Sequence, residues 1–372
     1  MKKILAFVTA FVCFMCSCGD RKDKVLTMDD KVFVKEFPCE IDLVERQDVS
    51  IDEIGVNAVK FVDSLMFIGH GGCWSVYDVR NFTKYGNVLK TGQGPGEFNF
   101  VPRCSSAAFV NESDSLVAYI PDKNNGAINR FNVTDFIRTG KEHVGKYLRS
   151  QYLTNDVWDV IPCNGERFLL SVPIHDFSGF KRCILEGDSL VDLNQTKPME
   201  KILVDDSNDI NLLARVTRYN NVADKFVEGL LFLNQINVFS GDGKWGKTIC
   251  VGNELDGVDE IESQFRFDRI NAYTTVTAWD CGFGAAYSGV TEKTRQLGTG
   301  HSSVLQIFDW DGNPLCLVKV PHSTMAFDID FVNKLLFIVT EEDEIKVYDA
   351  SQCIKELDGN RRFSLRRVSR KQ

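Results

Sequence analysis

The feature that most constrains this chain is a unit repeated six times, because a period near 50 residues belongs to repeat architectures rather than to an ordinary mixed domain. Each unit opens on a short turn containing Asp, Asn or Ser. An apolar strand follows, then a loop, then a second strand in which apolar and polar residues alternate. The first copy is Asp63-Ser64-Leu65-Met66-Phe67-Ile68 with Trp74-Ser75-Val76-Tyr77-Asp78 after it, and the last is Asn333-Lys334-Leu335-Leu336-Phe337-Ile338-Val339 with Glu344-Ile345-Lys346-Val347-Tyr348-Asp349. With Leu65, Leu116, Phe168, Leu230, Phe283 and Leu335 as anchors, the steps are 51, 52, 62, 53 and 52 residues.

Each step has room for four short strands, and no long amphipathic helix interrupts them. Radial repetition of four-stranded sheets builds a propeller. The expectation is therefore an all-β chain, a six-bladed β-propeller of four-stranded antiparallel blades over residues 31–358. A pair of β-sandwiches is the competing architecture, but it requires no regular step. With 44% hydrophobic residues and 27 Phe, material for a large core is ample. Little chain follows the sixth pair of strands. The alternating segment Lys31-Val32-Phe33-Val34-Lys35-Glu36-Phe37 is a candidate for the missing outer strand, which would tie the two termini together.

The N-terminus reads as an address. Lys2 and Lys3 precede fifteen uncharged residues from Ile4 to Cys18, short of the roughly 20 needed to cross a bilayer and typical of a signal peptide. The end of this stretch, Met15-Cys16-Ser17-Cys18-Gly19, resembles the lipobox of bacterial lipoproteins. The resemblance implies a signal peptide over 1–17, a lipid on Cys18, a tether over 18–30, and stable membrane attachment through more than one acyl chain. Cys16 is the weaker acceptor, because bulky Met15 stands where a small residue belongs, and a simple cleaved signal peptide is the other reading. Gly19 in place of Asp resembles lipoproteins sorted to the outer membrane, on its periplasmic or cell-surface side.

The segment Thr91-Gly92-Gln93-Gly94-Pro95-Gly96-Glu97-Phe98 resembles the G-x-G-P-G-E-F signature of six-bladed propeller lipoproteins of Bacteroides and their relatives, a TolB-like and NHL-like group. The resemblance implies the fold and adds little about activity.

Other motifs favour bland readings. Pro95 removes an N–H that a phosphate loop would use, and no helix follows to supply a dipole. His70-Gly71-Gly72 lacks the G-x-S-x-G partner of an esterase and reads as a tight interstrand loop. Asp309-Trp310-Asp311-Gly312-Asn313 and Gly241-Asp242-Gly243 lack the carboxylates of a calcium loop and read as hairpins. The five histidines never pair at metal-ligand spacing, and the nine cysteines after Cys18 are too far apart for zinc or thioredoxin motifs. They read as buried thiols. No cofactor is implied. Losing residues 1–17, with two lysines and no acid, takes the formal charge from −9 to −11, which argues against nucleic acid as a partner. The last residues, 359–372, carry six positive charges between Arg361 and Lys371 and read either as a grip on anionic headgroups or as a frayed end.

Propeller topology divides the loops between two faces. The b–c loops and d–a connections share one face and hold the chemically richer segments: His70, Gln93, Glu97, Arg103, Asp122, Lys123, Asn124, His175, Asp176 and Glu341. This is the expected binding face. Two functions follow: a non-catalytic binding or scaffold lipoprotein with a protein or glycan partner, or a metal-dependent hydrolase or lyase of lactonase-like type with its metal in the channel. The absence of a local metal signature favours the first.

Overall fold

The six repeated strand pairs are the second and third strands of six blades, and each is flanked by an inner strand nearer the central axis. The computed structural model describes residues 24–359 except 93, 95, 96, 155, 176, 206–208, 210 and 299, so Cys18, Gln93, Asp176 and the basic tail 360–372 lie outside the described residues. The inner strands are Val56–Val62, Ala108–Glu112, Asp159–Pro162, Arg215–Asn220, Ile270–Trp279 and Ala326–Asp330. The chain is a six-bladed β-propeller of mainly antiparallel, mostly four-stranded sheets.

Alternation explains why the second strands are apolar along their whole length. In Leu65–His70 of the first blade, Leu65 and Phe67 point to the second blade while Met66 and Ile68 point to the sixth, and both sides are buried. The core is accordingly split into six clusters, one between each pair of neighbouring blades. Aromatic rings bridge the seams, as where Phe67 meets Phe109 of the next blade at 4.5 Å between centroids. The tight a–b turns place Asp63, Ser113, Asp224 and Lys334 at positive φ of 51°, 52°, 48° and 58°. The recurrence of one left-handed residue at the same point in four blades is the repeat written in the backbone.

The N-terminal segment behaves differently from expectation. Lys31–Val34 does not close the ring; it pairs in parallel with Gly246–Val251 as a fifth strand on the fourth blade. Glu40–Asp42 then pairs in parallel with Pro314–Val320 on the fifth blade, and Val44 to Arg46 reach the sixth, through Arg46 N to Val347 O and Asp349 N to Val44 O at 2.8 and 3.0 Å. The reason is burial. Leu26, Met28, Val34 and Ile41 drop into the seams along the way, fixing a strap that lies across three blades. A nine-residue helix, 351–359, follows the sixth blade in place of an outer strand. It buries Cys353, Ile354 and Leu357, and the Cys316 thiol of the fifth blade interacts with both Cys353 and Cys39 of the strap.

Closure at the axis rests on Asp328, which is 1% exposed. Its carboxylate accepts from Trp279 Nε1 at 2.7 Å and Ile329 N at 2.9 Å on one oxygen, and from Phe61 N at 2.9 Å on the other, with Lys60 Nζ at 3.3 Å. One side chain thus joins the fifth, sixth and first blades.

Candidate functional site in the central channel

The inner strands do not meet on the axis, and a cavity of about 860 Å³ remains between them, within the range of small-molecule sites. All six inner strands contribute to its wall. The contributing residues come from the end of each strand nearest the a–b turn, so the mouth opens on the a–b/c–d face, opposite the richer loops. Val222, Phe331 and Val332 lie at the rim with 67%, 39% and 55% exposure. Ile354 and Asp358 of the terminal helix complete it.

The wall also holds an arginine whose hydrogen bonds go to neutral groups. Arg218, from the inner strand of the fourth blade, donates to Thr217 O at 2.8 Å and to Ser105 Oγ at 3.0 Å. Ser105 belongs to the connection between the first and second blades, so this side chain reaches across the channel. Neither acceptor is charged. Burial, and then the neighbouring Arg103 guanidinium, press the Arg218 pKa down to about 10. The Arg103 carbonyl accepts from Ser106 N at 2.8 Å, but the Arg103 guanidinium has no hydrogen-bond or ion-pair partner among the described residues. It keeps solvent contact, yet the protein around it still lowers its pKa, with Arg295 adding to the effect.

Behind Arg218 lies a second buried group. Glu228 accepts from Arg182 Nε and Nη2 at 2.9 and 2.6 Å and from Asn237 at 3.0 Å, and Arg215 Nε stands 3.2 Å away. Burial alone would raise the Glu228 pKa, but the two guanidiniums hold it low. Arg215 stacks on Phe180 at 4.1 Å and leaves its Nη2 without a hydrogen bond. Burial raises the Asp159 pKa against the pull of Arg215, Lys123 and Arg218. Arg218 is the guanidinium in the cavity wall itself, with the Glu228 group behind it; the wall also carries Lys60, Lys334 and the carboxylates of Asp63, Asp280, Asp328 and Asp358.

The residues anticipated from sequence lie on the b–c/d–a face, and most are engaged in holding their loops. His70 sits 2.6 Å from Ser75 Oγ and 3.3 Å from Glu53, and burial lowers its pKa. Gly71 and Gly72 beside it take φ of 45° and 82°, which makes this segment a tight turn. Glu97 accepts from Gly94 N at 2.7 Å and closes its own loop. Asp122 binds the Asn125 backbone and side chain at 3.3 and 2.8 Å, capping the turn that contains Lys123 and Asn124. Lys123 donates to Trp158 O at 2.7 Å. The His175 carbonyl accepts from Ser178, and Glu341 pairs with Arg295 at 2.6 Å. Among the described residues, none of the set lines the cavity, although Arg103 and Lys123 act electrostatically on Arg218 and Asp159. Arg218 was not among the residues anticipated from sequence, although two arginines inside one inner strand, Arg215-Val216-Thr217-Arg218, were a readable signal.

Among the described residues, three potential metal ligands converge at one place, Asp205, Asp259 and Glu262. This group lies on the d–a connections outside the channel, and Lys24 Nζ is seated on it, 2.7 Å from Asp205 and 3.1 Å from Asp259.

No protein-family model matches this chain, and no curated protein does. Among solved structures it is similar to a member of the DUF4221 family from Bacteroides vulgatus, at 10% identity and a TM-score of 0.55 over 82% of this chain and 97% of that one. The β-propeller domain of Myceliophteria thermophila Cps50 (Swd1) matches at 10% identity and a TM-score of 0.43 over 82% and 99%, and Kluyveromyces lactis Hsv2 at 12% and 0.37 over 80% and 73%. The last two are too distant to support any inference. At 10% identity the Bacteroides likeness speaks to fold alone, and that fold is the six-bladed β-propeller drawn above.

Proposed function

We propose that this protein is a non-catalytic ligand-binding lipoprotein of a bacterial envelope, held to its membrane by a lipid on Cys18, with a small organic ligand in the outer half of its channel. The observation that carries the reading is the cavity walled by all six inner strands, with exposed apolar side chains at its mouth. The path of the N-terminal strap supports it. The chain joins the body at Lys24, whose carbonyl accepts from Val258 N and whose ammonium pairs with Asp205 and Asp259, all on the d–a connections. Six residues separate Cys18 from Lys24, a reach of about 20 Å at most. A lipid there holds the b–c/d–a face towards the membrane and turns the cavity mouth away from it, which favours the channel over the loop face as the binding surface. The Bacteroides likeness and the Gly92-to-Phe98 signature agree with a propeller lipoprotein of that group.

The test is native mass spectrometry of the protein purified under mild conditions from its own membranes. The parent is expected to carry a small molecule that is released on unfolding, and Ser106→Trp, which fills the cavity wall, is expected to lack it. Equal occupancy in the two, or none in the parent, counts against the reading. Labelling with a radioactive fatty acid should follow Cys18 and be lost in Cys18→Ala.

A further inference from the structure

The geometry points to an anion subsite at Arg218 in the wall of the channel, so that the ligand is an amphipathic organic anion with an apolar or ring-bearing body and a carboxylate, sulfate or phosphate group. This rests on the channel being the binding site and adds the class of molecule it takes.

Three observations carry it. Arg218 lies in the cavity wall and spends its bonds on a backbone carbonyl and a serine hydroxyl, whereas Arg182, the more deeply buried arginine of the neighbouring blade, has a carboxylate in bidentate contact. A guanidinium that is enclosed but not ion-paired is costly to the fold and is retained where it has a task. Next, the exposed Arg103, whose guanidinium has no hydrogen-bond or ion-pair partner among the described residues, adds positive potential at Arg218. A guanidinium fork in the cavity wall matches the geometry of an oxyanion, which neutral ligands cannot exploit. Finally, the rings of Phe61, Phe109, Trp279 and Phe331 lie in the wall, beside polar groups that include Asp63, Asp280 and Asp358. A ligand entering the cavity buries its body against these rings while its charged end reaches Arg218. The low-dielectric wall strengthens the attraction, and the like charges of Arg103 and Arg218 are relieved once the anion arrives.

The experiment is titration calorimetry of the full folded chain with benzoate and glucuronate as anionic probes and benzyl alcohol and glucose as their neutral counterparts, at constant ionic strength. The parent should bind at least one anion saturably and at least tenfold more tightly than its neutral counterpart. Arg218→Gln should weaken the anion at least tenfold and erase the preference, and Arg218→Lys should restore part of it. Thermal melting confirms that each variant is folded. Anions binding no better than neutral probes, an unaffected Arg218→Gln, or no saturable anion binding up to tens of millimolar overturns the subsite. The two readings fail separately. Neutral probes that bind the parent and not Ser106→Trp, without any anion preference, remove the subsite and keep the cavity; probes indifferent to Ser106→Trp remove the cavity itself.

Discussion

Replacing Asp328 with Asn tests whether the ring is closed at its axis by one carboxylate. If the amide oxygen keeps Trp279 Nε1 and Ile329 N, its NH₂ must face the Phe61 N–H, donor against donor, at a site 1% exposed. A bond to a charged acceptor contributes about 1.5–3 kcal/mol, and a buried donor left unsatisfied costs about 1–3 kcal/mol. The expected loss is about 3–5 kcal/mol, the size seen when one partner of a buried charged group is removed. Unfolding entropy near 2.1 cal/mol/K per residue over roughly 330 residues gives about 0.7 kcal/mol/K, so the Tm should fall by about 4–7 °C. Differential scanning calorimetry reads this directly. Lys60→Met is the control, because Lys60 is partly exposed and 3.3 Å from the carboxylate; it should cost less than about 1 kcal/mol. An Asn variant melting within 1 °C of the parent, or a Lys60→Met variant falling as far, would refute the idea that the Phe61 bond closes the ring.

Further expectations follow from the same geometry. Arg218→Met removes an enclosed, carboxylate-free charge and should melt no lower than the parent while abolishing anion binding; a loss beyond about 2 kcal/mol would make Arg218 a structural residue instead. His70 is held below its usual pKa by burial, so the unfolded chain takes up the proton first and stability falls as the pH drops through the ordinary histidine range near 6.5. Urea midpoints at about pH 7.5 and 5.5 should therefore diverge more for the parent than for His70→Gln, and equal divergence would count against it. Of the nine described cysteines, Cys39, Cys73 and Cys281 are partly exposed and the other six buried, and burial pushes the Cys183 and Cys250 thiols up to about 11. A bulky thiol reagent at neutral pH should label no more than those three before unfolding; faster labelling of the others would mean the blade seams open readily.

Blade number was legible because the second and third strands are buried between neighbours on both sides, which gives each repeat an apolar signature such as Leu335-Leu336-Phe337-Ile338-Val339. The strap was not. Lys31–Val34 alternates as any edge strand does, and four residues say nothing about which blade they join or in which direction; the burial of Leu26, Met28 and Ile41 in successive seams decides that. The helix at 351–359 was shorter than the helices sought, although Cys353, Ile354 and Leu357 carry its spacing and Asp349 accepts from Ser351 N at its start. The site was the least legible part. The loop face looked rich because polar residues gather there, but His70, Glu97, Asp122 and Glu341 are occupied by local bonds. Arg218 and its acceptor Ser105 come from different parts of the ring and meet only when it closes.

The most direct measurement is an anomalous difference map from crystals of the parent soaked in iodide. An iodide peak inside the channel at the Arg218 guanidinium, absent from Arg218→Met crystals treated alike, is the result the account predicts. Iodide confined to the outer surface, with no peak in the channel of the parent, would contradict it.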